Sequence, residues 1–360
     1  GIASSTLIAV MARGVVASYW PLHKLPHRPT TLAAPMKLPY FGGVHRHFWK
    51  ISCENCFCGK WFHTTGKDPR NHQRKKFSMN VSAILGRDRD NMYLENYWYC
   101  SALPHEVDAK PLRRVICNEP VVFYRDTQGK PVALEDRCSH RQAPLSTGEV
   151  RGDHIQCSYH GFVFDGVGAC VHIPHQDTIP SRAHIRAYPV EEKWGFIWIW
   201  RGDAAKADVA KIPYFPWTTD AGRSPVYVYF YVKANHQLVA DNLLDISHAD
   251  YLHSDTLGSK SGIMGGPQPD NVEFRTWQEG DKVHSFRKLT NVEVASYPKK
   301  WGNFTRNVDR TNIQMWEAPN TVHVYLEFEN DENKILINHD HIMTPETDIT
   351  THYFMDFTRN

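Results

Sequence analysis

The chain has 360 residues, of which 41% are hydrophobic and 22% charged, and its formal net charge is +2. This length fits about two domains, each able to bury a core of its own. No apolar run approaches the ~18–20 residues of a membrane-spanning helix, and the composition excludes a collagen-like or wholly disordered chain. We therefore expect a soluble, cytoplasmic protein with neither a membrane nor a nucleic acid as its partner.

The basic residues are concentrated in the first quarter of the chain. Residues 1–91 carry 14 Lys and Arg against four acidic residues, a balance of +10, whereas the remaining residues carry 27 against 35, a balance of −8. This leader lacks sustained periodicity and begins with Gly. Two interpretations stay open: a transit peptide, or upstream sequence translated ahead of a start at Met92.

One group of potential metal ligands lies inside the leader. Cys53, Cys56 and Cys58 are followed by His63, a spacing compatible with zinc binding. Because no ordered scaffold is predicted around these residues, we favour a leader without a metal site.

After Met92, short apolar stretches alternate with turn residues, which predicts a small all-β domain over residues 92–205. The segment Arg201–Asp208 is predicted to be a linker. The predicted strands are Val121–Tyr124, Val132–Leu134 and Trp194–Trp200. Thr127–Lys130 is the predicted turn between the first two strands.

Residues 206–360 are predicted to form a second, α+β domain, in which a sheet has at least one helix packed on it. The helix is expected from Asn235 to about His253. The predicted strands are Val226–Val232, Val322–Phe328, Lys334–Met343 and His352–Phe357.

Two cysteines and two histidines form the first chemical motif. Cys138 and His140 are followed, after sixteen intervening residues, by Cys157 and His160. Each half pairs a thiolate with an imidazole at short range, so two tight loops can direct four ligands to one metal group. The residue types suit either structural zinc or a Rieske [2Fe–2S] cluster, in which two Cys hold one iron and two His the other.

The cysteines outside this motif, Cys100, Cys117 and Cys170, are predicted to be reduced, packed thiols. His172 and His175 follow the motif and are expected to cover the metal group or to form local hydrogen bonds.

The spacing C-x-H-x16-C-x2-H resembles the signature of Rieske proteins. This resemblance implies a [2Fe–2S] cluster held by Cys138, His140, Cys157 and His160. Such a cluster relays single electrons, so the motif alone indicates electron transfer and does not identify a substrate.

The second motif lies on the predicted helix. Asp241, Asp245 and His248 fall at i, i+4 and i+7, on one helical face, and such groups are costly to bury unless they bind something. His253 lies about 140° around an ideal helix from His248. If both histidines bind one ion, the helix must end or distort between them.

The pattern D-x2-H-x4-H of Asp245, His248 and His253 resembles the catalytic motif of Rieske non-haem iron oxygenases. The chain is most similar to the oxygenase (alpha) subunits of the vanillate and dicamba O-demethylase branch. Further segments that carry this similarity are Asn96–Tyr99, Ala240–Asp245, His339–Thr347 and His352–Phe354.

The resemblance implies a Rieske β-domain followed by a helix-grip (START/Bet v 1-like) catalytic domain. It implies that His248 and His253 bind Fe(II), and that Asp245 carries electrons from a Rieske histidine of a neighbouring subunit in a homotrimer. Asp241 and Asn242 would support the ligands, and His341 would contact the substrate.

The same resemblance implies the reaction and its partners. A ferredoxin or flavin reductase component would supply electrons from NAD(P)H, and O2 would be used to hydroxylate a small aromatic substrate. The expected reaction is O-demethylation of a methoxylated aromatic acid of vanillate type. Ring hydroxylation, N-demethylation and attack on a sulfonated ring stay open, as does a Rieske electron-transfer protein without substrate chemistry.

The third iron ligand in this family is a carboxylate on a C-terminal helix. Asp340, Asp348 and Asp356 are the late aspartates of this chain, and none lies in a predicted helix. We therefore expect this ligand to lie beyond Asn360, the chain to be truncated at its C-terminus, and the truncation to impair activity.

Overall fold

The computed structural model describes residues 93–253, 256 and 272–360. The described residues belong to one compact unit and form four antiparallel sheets. The basic leader, with the candidate zinc ligands Cys53, Cys56, Cys58 and His63, lies outside them. None of the described helices is long and apolar enough to cross a membrane.

The N-terminal part consists of short strands, as the alternation of apolar runs and turns predicts. They form three small sheets with the orders β1-β11-β10, β2-β3-β4-β9 and β5-β6-β7-β8. The strands are β1 (Tyr97–Ala102), β2 (Leu112–Ile116), β3 (Glu119–Arg125), β4 (Pro131–Glu135), β5 (Glu149–Arg151), β6 (His154–Gln156), β7 (Val163–Phe164), β8 (Cys170–His172), β9 (Ala187–Tyr188), β10 (Val190–Lys193) and β11 (Phe196–Arg201).

Two boundaries differ from the prediction near the end of this part. Trp194 and Gly195 adopt positive φ values of 58° and 80° and form the turn before β11, rather than its first residues. A β-carbon at Gly195 would lie 2.2 Å from the ring of Tyr227, so only glycine allows this close approach. Arg201 ends β11 and is buried, so it does not belong to the linker.

The C-terminal part is one seven-stranded antiparallel sheet with the order β12-β18-β17-β16-β15-β14-β13. The predicted α+β class is confirmed, although β13, β14, β15 and α3 were not predicted. The elements are β12 (Val226–Val232), α1 (His236–Leu244), α2 (Ala249–Leu252), β13 (Val272–Glu279), β14 (Lys282–Val292), α3 (Ser296–Gly302), β15 (Val308–Glu317), β16 (Thr321–Glu329), β17 (Lys334–Thr347) and β18 (Thr350–Arg359).

The prediction of one helix from Asn235 to His253 is wrong. Asn235 caps α1 by accepting a hydrogen bond from the N–H of Gln237 at 2.9 Å. The helix ends at Leu244, because Asp245 adopts an extended backbone with φ −88° and ψ 90°. A 3-10 turn from Ile246 to His248 and the short α2 follow.

This break changes the predicted geometry of the second motif. Asp245 and His248 lie beyond the end of α1, so they do not share a helical face with Asp241. The interruption precedes His248 instead of falling between the two histidines, and His253 is the residue at which α2 ends.

The two parts of the chain share a buried aromatic core. Trp98 and Trp198, from β1 and β11, pack with Phe215 against Ile342 and Phe354 of the large sheet. Polar bonds join the same surfaces: the Thr344 hydroxyl donates to the carbonyl of Cys100 at 2.7 Å, and the N–H of Cys117 donates to the carbonyl of Pro345 at 2.8 Å. Large aromatic side chains contribute much of the free energy of such a contact.

Strand β17 places alternate side chains on opposite faces of the sheet. His339 and His341 pair with Val324 and Val322 of β16, on the face that packs against Val239 and other apolar residues of α1. Asp340 lies on the other face, towards the N-terminal part, where it pairs with His323.

Asp340 is the centre of a buried polar cluster on this second face. Its carboxylate accepts hydrogen bonds from His323 Nδ1 at 2.7 Å and Trp217 Nε1 at 2.8 Å, and Glu317 lies 3.1 Å from His323 Nε2. Burial alone would lower the pKa of His323, but Asp340 and Glu317 outweigh it and raise this pKa to about 9. Burial and Asp340 together raise the pKa of Asp356 well above its usual range.

We predict that His323 stabilises the fold below about pH 6.5 and that this contribution is lost as the pH rises to about 9. The reason is that the folded protein keeps a proton that unfolded histidine releases near pH 6.5. The difference in unfolding free energy between wild type and His323→Gln, measured in urea, should shrink across this interval by up to about 3 kcal/mol. A constant difference would contradict the prediction.

Candidate metal centres and active site

The two Cys-His loops have the same backbone frame. In the first loop, the N–H of Cys138 donates to the carbonyl of Ala143 at 2.9 Å, and the N–H of Gln142 donates to the carbonyl of Cys138 at 2.9 Å. Cys157, Phe162 and Gly161 repeat this pattern at 2.8 and 3.1 Å.

The fifth residue of each loop turns the chain back. Gln142 and Gly161 have positive φ values of 56° and 73°. A β-carbon at Gly161 would approach Pro174 Cγ to 3.0 Å, so the second loop also requires the small side chain.

The loops bury the cysteines and expose the histidines. Cys138 and Cys157 are both buried, whereas His140 and His160 are exposed, with ring centroids 4.6 Å apart. The ring of Phe162 stacks on His140 at 4.9 Å. A group with two metal ions in different ligand environments fits this arrangement, because the sulfur ligands of one ion would lie inside and the nitrogen ligands of the other at the surface.

The thiol of Cys138 is adapted to a positively charged partner. Burial raises its pKa to about 11, and the neighbouring Cys157 raises it as well, while the backbone N–H groups of His140 and Arg141 act in the opposite direction. Burial therefore disfavours the thiolate of Cys138, and a bound metal cation would favour it. The donor set, two soft sulfurs and two imidazoles, fits a Rieske cluster.

The second pair of histidines, His248 and His253, lies close together. The rings of His248 and His253 lie 5.4 Å apart at an angle of 69°. His248 Nδ1 is 2.6 Å from the backbone carbonyl of Asp245 and donates its proton to it, which leaves Nε2 as an acceptor for a metal ion. Burial and the neighbouring His248 lower the pKa of His253, which favours the neutral form that binds metals.

Within the described residues, no three His, Cys, Asp or Glu side chains converge on one point. Asp340 and Asp356, which pair across β17 and β18, are not directed towards α1. Asp348 lies in the turn between these strands.

Two predicted supporting residues lie at the surface. The side chains of Asp241 and Asn242 are exposed on α1, and their role in supporting the iron ligands stays a prediction. Asp245, three residues before His248, is also exposed. Among the other predicted residues, Cys100, Cys117 and Cys170 are buried free thiols, and His172 and His175 are exposed.

His341 belongs to a buried chain of polar groups on the face that α1 covers. Its Nδ1 is 2.5 Å from the hydroxyl of Tyr353, and its Nε2 is 2.9 Å from Nδ1 of His339. Both ring nitrogens of His341 are therefore engaged, and its predicted contact with substrate stays untested. Nε2 of His339 is buried and has no partner among the described residues.

The sequence analysis missed His339 and Tyr353 as members of this site. The available signal was the two-residue spacing of His339 and His341 on a predicted strand, which places both rings on one face. Tyr353 carries no such signal, because its contact with His341 depends on the register of β17 and β18.

Comparisons with known proteins agree with both centres. Residues 97–189 match the Rieske [2Fe-2S] domain family, and residues 232–360 match the vanillate O-demethylase oxygenase C-terminal domain family. The first range contains both Cys-His loops, and the second contains Asp245, His248 and His253.

Individual relatives cover most of the chain. It is 36% identical to the iron-sulfur subunit of the toluene-4-sulfonate monooxygenase system of Comamonas testosteroni, over 75% of this chain and 80% of that protein. It is 35% identical to the oxygenase component of dicamba O-demethylase of Stenotrophomonas maltophilia, over 74% and 79%. The crystal structure of dicamba monooxygenase with 3,6-dichlorosalicylic acid superposes with a TM-score of 0.68 at 34% identity, covering 74% of this chain and 78% of that one.

Two iron sites on a Rieske β-domain and an α+β catalytic domain define an oxygenase component, an oxidoreductase. The chain belongs to the Rieske non-haem iron oxygenases, in the branch of the vanillate and dicamba O-demethylase oxygenase subunits. Its cofactors are a [2Fe–2S] cluster and a mononuclear non-haem iron, and it uses O2 and electrons delivered by a reductase.

Proposed function

We propose that this chain is the oxygenase component of a system that O-demethylates a methoxylated aromatic acid of vanillate type. The observation that carries the proposal is the presence, in one compact unit, of a Cys-His loop pair and a separate histidine pair. An electron-transfer protein would need the first but not the second. The match of residues 232–360 to the vanillate O-demethylase domain supports the reaction type.

The proposed cluster ligands are Cys138, His140, Cys157 and His160. The buried cysteines hold one iron away from water, and the exposed histidines hold the other where a partner protein can approach. When bound, the cluster supplies one electron at a time. A ferredoxin or flavin reductase that oxidises NAD(P)H is the proposed source.

The proposed ligands of the mononuclear iron are His248 and His253. The carbonyl of Asp245 orients the imidazole of His248, so its Nε2 is available to the metal without a change of tautomer. Asp245, whose side chain is exposed, is proposed to carry electrons from a Rieske histidine of a neighbouring subunit in a homotrimer. Asp241 and Asn242 are proposed to support the ligands from α1.

The overall reaction consumes one O2, two electrons and two protons for each methyl group. One oxygen atom enters a C–H bond of the methoxy group to give a hemiacetal, and the other leaves as water. The hemiacetal breaks its bond between carbon and the aryl oxygen, with loss of formaldehyde and formation of a phenol.

The relative that acts in a toluene-4-sulfonate system supports a second candidate, hydroxylation of a methyl group on a sulfonated ring. Both candidates insert oxygen into a methyl group on a ring that carries an anion. They differ in product, because a hydroxylated C-methyl group is a stable alcohol and releases no formaldehyde.

We predict that Cys157→Ser abolishes the cluster, whereas Cys170→Ser retains it. Both thiols are buried, but only Cys157 lies in a Cys-His loop, so the pair separates ligation from packing. Acid-labile sulfide per chain and the low-g EPR signal of the reduced cluster measure the outcome. Equal loss of sulfide in the two variants would exclude the assignment of Cys157.

We predict that the oxygenase, loaded with both its cluster and its mononuclear iron and supplied with a reductase, NADH and O2, forms formaldehyde and the corresponding phenol from methoxybenzoates in a 1:1 ratio. Toluene-4-sulfonate in a parallel reaction should give no formaldehyde, and a hydroxymethyl product from it would favour the second candidate. Cluster-loaded protein that binds iron but consumes no O2 with either compound would contradict both.

A further inference from the structure

The buried polar chain under α1 ends in Nε2 of His339, which has no hydrogen-bond partner among the residues that the structure describes. Tyr353, His341 and His339 lie in line, with the 2.5 Å and 2.9 Å contacts described above, and all three are buried. Apolar residues surround them, including Val324, Met343 and Phe357 of the same core. In such surroundings a hydrogen bond that is not made costs free energy.

The hydroxyl of Tyr353 determines which nitrogen of His341 and of His339 carries a proton. The hydroxyl of Tyr353 contacts Nδ1 of His341, and this nitrogen is the acceptor to which the hydroxyl can donate its proton. Then Nδ1 of His341 is an acceptor, and the ring proton lies on Nε2, which donates to Nδ1 of His339. His339 must therefore carry its own proton on Nε2.

The opposite direction of donation, from His339 through His341 to Tyr353, leaves two hydrogen-bonding groups unsatisfied among the described residues. If Nδ1 of His341 donated to Tyr353, the hydroxyl proton would have no acceptor among the described residues, and Nε2 of His339 would be a bare acceptor in an apolar core. Buried polar groups in proteins are almost always paired, so the first direction is favoured.

Both imidazoles are neutral, which the proton order requires. Burial lowers the pKa of His339 to about 4, and burial together with His339 and His323 lowers the pKa of His341 well below its usual range. Burial raises the pKa of Tyr353, so the hydroxyl keeps its proton. Asp340, the nearest carboxylate along β17, lies on the opposite face and bonds to His323 and Trp217.

We propose that Tyr353 is a positioning residue that fixes the tautomer of His339 through His341, so that His339 Nε2–H is a hydrogen-bond donor for an anionic oxygen of the substrate, a carboxylate or a sulfonate. The inference deepens the proposed function and rests on it for the location of the substrate. A substrate oxygen that accepts from this buried N–H would satisfy a donor that has no partner within residues 93–253, 256 and 272–360. The face is the one that α1 covers, and α1 leads directly to His248 and His253.

The test uses Tyr353→Phe in the iron-loaded protein. The substitution keeps the ring and removes the proton that orders the chain, so both tautomers of His339 become accessible. We expect the dissociation constant of 4-methoxybenzoate, measured by calorimetry without reductant, to rise about tenfold. The dissociation constant of 4-methoxytoluene, which lacks the anion, should not change. Tyr325→Phe is the matched control, because Tyr325 donates to Glu327 outside this chain of groups.

Toluene-4-sulfonate is a third ligand, and it distinguishes a carboxylate from a sulfonate as the anion that His339 binds. The anion whose dissociation constant rises more in Tyr353→Phe is the one to which His339 donates. An equal change for 4-methoxybenzoate and 4-methoxytoluene, or no change for either anion, would overturn the proposal.

Neutron diffraction on crystals of the iron-loaded protein tests the proton order without reference to substrate. We expect deuterium on the Tyr353 hydroxyl, on Nε2 of His341 and on Nε2 of His339. Deuterium on Nδ1 of His341 would refute the relay. If the deuterium positions are as expected but no aromatic acid is bound or demethylated, the relay stands and the proposed function fails.

Discussion

The two-residue repeat of β17 is the constraint on which the rest of the site depends. Antiparallel pairing with β16 and β18 fixes its register, so His339 and His341 face α1 while Asp340 faces the aromatic core shared with the N-terminal part. A shift by one residue would exchange these faces. It would bury Asp340 among the apolar residues under α1 and remove His341 from Tyr353. The register therefore holds two separate buried networks in place, one structural and one that we associate with substrate.

Different backbone features position the proposed ligands of the two iron sites. The Cys-His loops are self-contained, because each loop closes through its own backbone hydrogen bonds around a residue with positive φ, Gln142 in the first loop and Gly161 in the second. The histidine pair depends on a helix that stops. By ending α1, Asp245 brings its own carbonyl to His248 and presents its carboxylate at the surface. One residue thus orients a proposed ligand with its backbone, while its side chain is exposed.

The sequence was sufficient to predict features that depend on local spacing. The Cys-His loops, the histidine pair and the strand Val226–Val232 are such features. Strands β13 and β14 were missed because charged residues interrupt their apolar pattern and most of β13 is exposed. Strand β15 was missed as well.

The end of α1 was missed for a tertiary reason. No glycine or proline marks it, but Gln314 of β15 donates to the carbonyl of Leu243 at 2.7 Å and satisfies a group at the helix end. The pairing of His323 with Asp340, and that of His341 with Tyr353, likewise requires the register of the sheet. The sequence of a single chain does not reveal which residues of neighbouring strands pair with each other.

The central claim is that the cluster and the histidine-bound iron act together on one substrate. A single-turnover experiment tests it most directly: the protein is reduced at the cluster, freed of reductant and exposed to O2 with and without 4-methoxybenzoate. Our account predicts that cluster oxidation is fast only with the aromatic acid and is accompanied by formaldehyde, and that Asp245→Asn keeps a reducible cluster but forms no product. Oxidation of the cluster at the same rate without substrate, and without formaldehyde when substrate is present, would contradict the account.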